Sequence, residues 1–243
     1  MIRTVGVVIP ARNEAELIAT SLRHLRVSLA ELPSRIERAV CVVADRCVDD
    51  TARIARAEFA GWCNARVVPN HRATTIGEVR HFGVGQLTAM LGGPHPAETL
   101  LLSTDADTVV DRPWALAHLR LAERGWHAVA GVAELDQQLP PAVAARYAAI
   151  HGRARTRDGH GNVYGANLGV RADAYAAIGG FRPVANGEDH DLWRRLGAAG
   201  FRLTYATEPV ARTSARRHGR ASGGVAALLR RLHQGDATLP TAS

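Results

Sequence analysis

VGVVIPARNE, residues 5 to 14, decides the fold class of this 243-residue chain. The apolar run from Val5 is rich in β-branched residues and ends at Pro10, as in a strand buried on both faces of a parallel sheet. Asn13 is a good helix N-cap with Glu16 three residues later, and apolar residues then recur at helical spacing. This stretch therefore predicts a β-strand that turns directly into an amphipathic helix.

The same alternation of strand and helix continues along the chain. Apolar runs predict further strands at 39–44, 65–68, 99–104 and 128–132. Helical spacing predicts helices after Asp49 and at 76–91, 114–124, 141–155, 188–199 and 225–232, with a long glycine-rich loop at 158–169. The order implies right-handed crossovers and an α/β fold with a doubly wound, mostly parallel sheet flanked by helices.

The composition limits the classes of protein to consider. The formal charge is +7 and every basic residue is arginine, but these arginines are scattered and only 12 aromatic residues accompany them, so we expect no nucleic-acid partner. Three cysteines without C-x-x-C spacing favour free thiols in a reducing compartment. No signal peptide or membrane-spanning run is recognisable, and the basic helix at 225–232 favours at most weak contact with a membrane surface. We therefore predict a cytoplasmic protein.

Two acidic residues follow the strand predicted at 99–104, in the sequence TDADT. Ligands of open α/β sheets bind beyond the carboxyl ends of the strands, so Asp105 and Asp107 emerge at the expected place. Their spacing puts both carboxylates on one side of an extended chain, where hard oxygen ligands can hold Mg²⁺ or Mn²⁺ beside a diphosphate. The alternative is an Asp-rich turn that only ends the strand.

The order of several such segments is more specific than any one of them. VGVVIPARNEAELIATSL, VVADRCVDDTARIA, TDADT, GANLGVRADAYAAIGGF and GEDHDLWRRLGAAGFRLTY follow one another over about residues 4 to 206. In this order they resemble the family 2 glycosyltransferases, which adopt the GT-A fold. The resemblance implies one GT-A domain over residues 1–212, with a nucleotide-binding half to about 110 and an acceptor half beyond it. Residues 213–243 would form a basic tail.

The resemblance also implies roles for individual residues on the donor side. The nucleotide pocket would be lined by Pro10, Arg12 and Glu14, and Asp45 would accept a hydrogen bond from the base. Asp105 would approach the ribose or the donor sugar, and Arg80 would contact the diphosphate or the base.

Further roles implied by the resemblance concern the metal and the chemistry. Asp107 would be the firmer metal ligand, with Asp105 and His218 completing the shell. For His218 the alternative is an exposed histidine in a basic loop. Asp189 would be the general base, and a single base with in-line displacement predicts inversion at the anomeric carbon. The alternative for Asp189 is capping at a helix start.

The predicted function is thus an inverting, metal-dependent glycosyltransferase that uses a UDP-, GDP- or dTDP-sugar and a small or carrier-linked acceptor that the sequence does not identify. Arg46 and Cys47 replace the usual Gly-Ser after Asp45, so the sequence does not identify the base of the nucleotide. A sugar-nucleotide-forming nucleotidyltransferase and a non-catalytic basic α/β binding protein are the alternatives. A dehydrogenase is disfavoured because no G-x-G-x-x-G follows the first strand.

Overall fold

The computed structural model describes residues 1–93, 95–153, 159–216 and 224–234. These residues form an eight-stranded sheet in the order β3-β2-β1-β4-β7-β6-β8-β5. The strands are β1 (Thr4–Ala11), β2 (Glu37–Asp45), β3 (Ala65–Asn70), β4 (Thr99–Ser103), β5 (Thr108–Val110), β6 (Ala128–Leu135), β7 (Leu168–Arg171) and β8 (Leu203–Thr213). The helices are α1 (Ile18–Ala30), α2 (Thr51–Glu58), α3 (Ile76–Met90), α4 (Trp114–Glu123), α5 (Pro141–Arg153), α6 (Ala172–Ala177), α7 (Glu188–Ala198) and α8 (Val225–His233).

The central strand β1 is buried on both faces, as its apolar run predicts. Val7 and Ile9 pack into one apolar cluster with Leu22 of α1, and Val8 packs into a second cluster with Leu87 of α3. Each face of the sheet therefore has its own core, because successive side chains of a strand point to opposite faces. This arrangement confirms the predicted α/β fold.

The carboxyl ends of the parallel strands lie together at one edge of the sheet, which we call the site edge. β1 pairs in parallel with β2 and with β4, so all three carboxyl ends lie there. β7 runs antiparallel to β4, and Leu168 pairs with Ser103. The 3₁₀ turn at Gly165–Asn167, just before β7, is therefore brought to the same edge. Thr213, the last residue of β8, pairs with Thr108 and brings the following residues there as well.

Three local expectations were wrong. Helix α1 begins at Ile18 rather than beside Asn13, because Asn13 takes a left-handed conformation with φ of 54° and accepts a hydrogen bond from the Val48 amide instead. The segment expected to be loop at 158–169 contains the 3₁₀ turn and the start of β7. Strands β5 and β8 were not predicted either.

A buried carboxamide holds the 3₁₀ turn in place. The Asn167 side chain is fully buried and accepts hydrogen bonds from Trp114 Nε1 at 2.8 Å and from His118 Nε2 at 3.0 Å. It donates to the carbonyl oxygens of Val132 and Pro209, at 2.7 and 2.9 Å. The carboxamide thus joins α4, β6 and β8, and because it is satisfied on all sides it makes the turn a rigid part of the fold.

Helix α8 is the last helix in the described ranges. This helix packs on α5, where Arg146 donates a hydrogen bond to the carbonyl oxygen of Leu232 at 2.9 Å. Among the helices of the described ranges, we find none with the length and apolar character that crossing a membrane requires. The apolar face of α8 is covered by protein, since Leu229 and Leu232 are buried.

Candidate active site

Asp45 ends β2 at the site edge and has its carboxylate largely engaged. Its Oδ1 accepts hydrogen bonds from Asn70 Nδ2 at 2.7 Å and from Arg46 Nε at 3.0 Å, while Arg12 lies 3.9 Å from Oδ2. Arg46 adopts φ of 49°, a left-handed conformation that costs a non-glycine residue about 1 kcal/mol. The second hydrogen bond of Arg46, to the Ala73 carbonyl at 3.1 Å, helps to hold it there. Arg46 therefore contributes directly to the wall around Asp45.

Glu14 is placed by contacts between the end of β1 and the start of α2. Its amide donates to Thr51 Oγ1 at 2.7 Å, and the same hydroxyl donates to Asp49 Oδ1. Asp49 also accepts from the Ala15 amide at 3.1 Å. Asp49 and Thr51, which belong to the VVADRCVDDTARIA segment of the family resemblance, thus fix the backbone of Glu14. The Glu14 side chain is only 6% exposed.

Asp105 and Asp107 lie in a tight turn between β4 and β5, not on the extended chain that their spacing suggested. The Thr108 amide donates to the Asp105 carbonyl at 3.1 Å, which closes the turn. Both side chains nonetheless reach the same region, because the Asp105 carboxylate lies close enough to Asp107 to raise the pKa of Asp107. The turn therefore collects two acids beside Glu14 at the site edge.

Arg80 of α3 holds Asp105 from inside the protein. Its side chain is 3% exposed, and it donates to Asp105 Oδ1 at 2.7 Å, Ser103 Oγ at 2.6 Å and Glu188 Oε1 at 3.3 Å. A Cβ added at Gly165 would lie 2.6 Å from an Arg80 nitrogen, so only glycine lets the turn close over the guanidinium. Because it binds both Asp105 and Glu188, Arg80 links the acidic turn to the start of α7.

Arg216 holds Asp107 from outside. It follows β8 in the chain and is 25% exposed. It donates to both carboxylate oxygens of Glu14, at 2.6 and 2.5 Å, and one of the same nitrogens lies 2.8 Å from Asp107 Oδ2. One guanidinium therefore bridges an acid of the first strand turn and the second acid of the T-D-A-D-T sequence.

The acids around Asp107 are crowded. Burial, together with the carboxylates of Asp105 and Glu14, raises the pKa of Asp107 to about 6, even though the charge of Arg216 opposes the shift. Burial is the largest cause of this shift and the nearby negative charges add to it, so a further positive charge at this carboxylate would be favourable. The donor set of hard oxygens beside an incompletely neutralised charge fits a divalent cation such as Mg²⁺ or Mn²⁺. Asp107 and Asp105 are the residues that would hold it.

A complete metal shell is not formed by these acids alone. Within the described part of the chain, no group of three or more histidine, cysteine, aspartate or glutamate side chains has an arrangement that could hold a metal ion. The third expected ligand, His218, lies outside the described residues. Donor phosphate oxygens and water commonly complete such sites for Mg²⁺, so two protein carboxylates are compatible with binding.

Asp189 lies in the first turn of α7, directly after Glu188. Its Oδ2 accepts a hydrogen bond from the Gly165 amide at 2.8 Å, and Oδ1 accepts from the His190 amide at 2.8 Å. The carboxylate is half-buried and keeps lone pairs for a proton. The neighbouring Asp191 instead pairs with the exposed Arg194 and the buried Arg195 of the same helix. Of these two aspartates, Asp189 has the geometry of a proton acceptor.

A ring cluster next to Asp189 was not predicted from the sequence. The Tyr164 hydroxyl lies 2.7 Å from His151 Nδ1, and the His151 ring stands 4.1 Å from the Tyr147 ring. Burial raises the pKa of the Tyr164 phenol, and Tyr147 and Asp189 raise it further. His151 Nε2 is buried without a hydrogen-bond partner among the described residues. Helical spacing places Tyr147 and His151 on one face of α5, but nothing in the sequence pairs them with Tyr164.

One comparison with known proteins gives a family for nearly the whole chain. The glycosyltransferase-like family 2 matches residues 3–233. The chain belongs to this family. A search of curated proteins finds no match.

Three solved structures illustrate the shared fold. The mannosyltransferase PcManGT from Pyrobaculum calidifontis, in complex with GDP-Man and Mn²⁺, has a TM-score of 0.64 and 18% identity, covering 88% of this chain and 58% of that one. S. aureus TarS with UDP-GlcNAc has a TM-score of 0.63 and 14% identity, covering 96% and 66%. GalNAc-T7 with UDP, GalNAc and Mn²⁺ has a TM-score of 0.66 and 13% identity, covering 96% and 48%. The fold is therefore the GT-A fold, and the chain spans about three fifths of the first of these proteins.

Proposed function

We propose that this protein is an inverting, metal-dependent glycosyltransferase that moves a sugar from a nucleotide-sugar donor to a hydroxyl of a small or carrier-linked acceptor. The observation that carries the proposal is the arrangement at the site edge. The acidic turn at Asp105 and Asp107 lies on one side of Arg80, and the start of α7, where Asp189 follows Glu188, lies on the other. The family assignment favours this reaction over nucleotidyl transfer and over a non-catalytic binding role.

The donor would bind along the carboxyl ends of β1, β2 and β4. Pro10, Arg12 and Glu14 would line the nucleotide pocket, and Asp45 would accept a hydrogen bond from the base. Asp107, with Asp105, would hold Mg²⁺ or Mn²⁺, and His218 is the proposed third ligand. When bound, the ion neutralises the charge that develops on the departing nucleoside diphosphate. Two of the similar structures contain Mn²⁺ with a nucleotide or nucleotide-sugar, which supports this choice of cofactor.

Asp189 would act as general base. The acceptor oxygen forms a bond to the anomeric carbon as the bond from that carbon to the diphosphate breaks, and the hydroxyl proton passes to Asp189. The amides of Gly165 and His190 hold the carboxylate in position. Attack from the face opposite the leaving group inverts the configuration of the anomeric carbon.

Arg80 was predicted to contact the diphosphate or the base, and its surroundings support a different role. We infer that it acts through Asp105 and Glu188, since its side chain is 3% exposed and each of its three nitrogens donates a hydrogen bond within the protein. Tyr164, His151 and Tyr147 contact one another, and we propose that they form the wall of the acceptor side.

The free thiols of all three cysteines support the predicted cytoplasmic location.

Thermal stability against UDP-, GDP- and dTDP-sugars, each with and without Mn²⁺ or Mg²⁺, tests donor binding. Ligands that bind only the folded state raise the melting temperature. We expect one nucleotide series to stabilise the protein only with metal, and Asp107→Ala to abolish that shift. If no nucleotide stabilises the protein under any metal condition, the proposed function is wrong.

The role of Asp189 is tested on the donor that this panel selects. Hydrolysis of that donor by water measures the chemical step before the acceptor is known. Asp189→Asn should reduce kcat by about 10²- to 10⁴-fold while donor affinity stays unchanged. Asp191→Asn, with the same charge change two residues away, is the matched control and should retain activity. Equal loss in both variants would contradict the assignment.

A further inference from the structure

The contacts of Arg216 are unequal, and this inequality suggests what happens when the donor binds. The guanidinium forms a two-pronged pair with Glu14, at 2.6 and 2.5 Å, but reaches Asp107 through a single nitrogen at 2.8 Å. The nitrogen that reaches Asp107 is one of the two that bind Glu14. A paired fork on a carboxylate is the stronger of these two arrangements. The contact to Asp107 is therefore the one that a competing cation would break.

We propose that Arg216 is a donor-binding residue that exchanges one of its two partners when the donor binds. Without donor it occupies the cation position at Asp107, and when a metal ion takes that carboxylate Arg216 stays on Glu14 and donates to the donor diphosphate. Glu14 is then a positioning residue that acts through Arg216. This inference rests on the proposed function, because the ligand is the nucleoside diphosphate part of the donor.

Glu14 is largely buried and its backbone is fixed, so it depends on Arg216 to neutralise its charge. Its side chain is 6% exposed, its amide is bound by Thr51, and its carbonyl oxygen accepts from the amides of Leu17 and Ile18. A carboxylate this buried cannot move out to water, and left unpaired beside an incoming diphosphate it would repel the ligand. Arg216 removes that repulsion only while it stays on Glu14.

The backbone around Arg216 favours a movement of the side chain alone. The Ser214 amide donates to the Asp107 carbonyl at 3.2 Å, and the Ala215 amide donates to Asp136 Oδ1 at 2.8 Å. These contacts tie the chain to the acidic turn on one side and to the end of β6 on the other. A freed guanidinium N–H beside the metal ligands would face the diphosphate, for which the planar arginine fork is well suited.

Two affinities with opposite expected changes test the proposal on the full chain. Mn²⁺ binding without nucleotide is measured by calorimetry, and binding of UDP and GDP is measured at saturating Mn²⁺. Arg216→Met should raise the affinity for Mn²⁺ alone about tenfold, because the competing cation is gone, and should lower the affinity for the preferred nucleoside diphosphate about tenfold. A variant that is merely damaged would lose both affinities together.

Arg212→Met is the matched control. Arg212 lies in β8, shortly before Arg216 in the chain, carries the same charge and pairs with Asp111 and Glu134 rather than with Asp107 or Glu14. It should leave both affinities unchanged. Glu14→Gln should weaken diphosphate binding in the wild type but add little in the Arg216→Met background, since the two residues act as one unit.

The possible outcomes separate this proposal from the proposed function. If wild type binds diphosphate with Mn²⁺ and Arg216→Met changes neither affinity, the role of Arg216 is wrong and the proposed function stands. If Arg216→Met weakens Mn²⁺ binding, the competition is also refuted. If wild type binds no diphosphate with any metal, the proposed function fails, and this proposal fails with it.

Discussion

Arg80 and Arg216 hold the two aspartates of one turn from opposite sides. Arg80 is 3% exposed and is bound by Asp105, Ser103 and Glu188, which come from the body of the fold. Arg216 is 25% exposed, comes after the last strand and, among the described residues, pairs with the two acids Glu14 and Asp107. Neutralisation of Asp105 is therefore built into the core, whereas that of Asp107 is exchangeable. An enzyme that must hold one carboxylate still and offer the other to a cation needs both arrangements.

The largest expected effect comes from removing the inner arginine. Arg80→Met leaves Asp105 and Glu188 without their buried partner, so we expect the free energy of unfolding to fall by about 3–5 kcal/mol. Urea unfolding at pH 7.5 measures this change. A loss below about 1 kcal/mol would show that the acids find other partners, and the comparison between the two arginines would fail.

The free energy of unfolding should also depend on pH through His118, which binds Asn167 of the 3₁₀ turn. Burial lowers the pKa of His118 to about 4, from an ordinary value near 6.5. Between these values the unfolded chain binds the proton and the folded protein does not. The stabilisation is therefore complete above pH 6.5 and is lost as the pH falls towards 4, by up to about 3 kcal/mol.

His118→Gln is the matched variant for this measurement. Glutamine can keep a hydrogen bond to Asn167 but does not titrate, so the difference in unfolding free energy between wild type and variant should shrink from pH 7 to pH 4. A difference that stays constant over this range would contradict the buried, neutral histidine.

Gly165 tests how closely the turn is fitted to Arg80. Gly165→Ala puts a methyl group within 2.6 Å of the guanidinium, which we expect to cost about 1–3 kcal/mol. Gly152→Ala is the control, because that helical position has open space around it and alanine favours helix by about 0.5–1 kcal/mol. Chemical denaturation of both variants should give changes of opposite sign, and equal changes would contradict the fit.

The smallest expected effect on stability belongs to the outer arginine. Arg216→Met should reduce the free energy of unfolding by about 1–2 kcal/mol, less than Arg80→Met, because Arg216 is 25% exposed and lies at the surface side of its two acids, although Glu14 itself is only 6% exposed. The difference from wild type should decrease further at high salt. A loss as large as that of Arg80→Met would show that Arg216 is structural rather than exchangeable.

The segments that sequence analysis identified correctly are those with local signals. The apolar runs of β1, β2 and β4 and the helical spacing of α3 are each contained in a short window, and the structure bears out all four elements. β8 was missed because its burial alternates weakly and its partners β5 and β6 lie far away in the chain. The 3₁₀ turn was missed because Asn167 is satisfied by four groups that lie 35 to 53 residues away.

The sequence by itself determined the α/β fold, the family and the acids that the parallel strands present at one edge. These follow from hydrophobic periodicity and from the rule that carboxyl ends of parallel strands share an edge. Only the tertiary structure decided which arginine neutralises which acid. Arg80 and Glu188 are 108 positions apart and Arg216 and Glu14 are 202 apart, so no local pattern relates them. Their pairing depends on the packing of α3 against α7 and on where β8 ends.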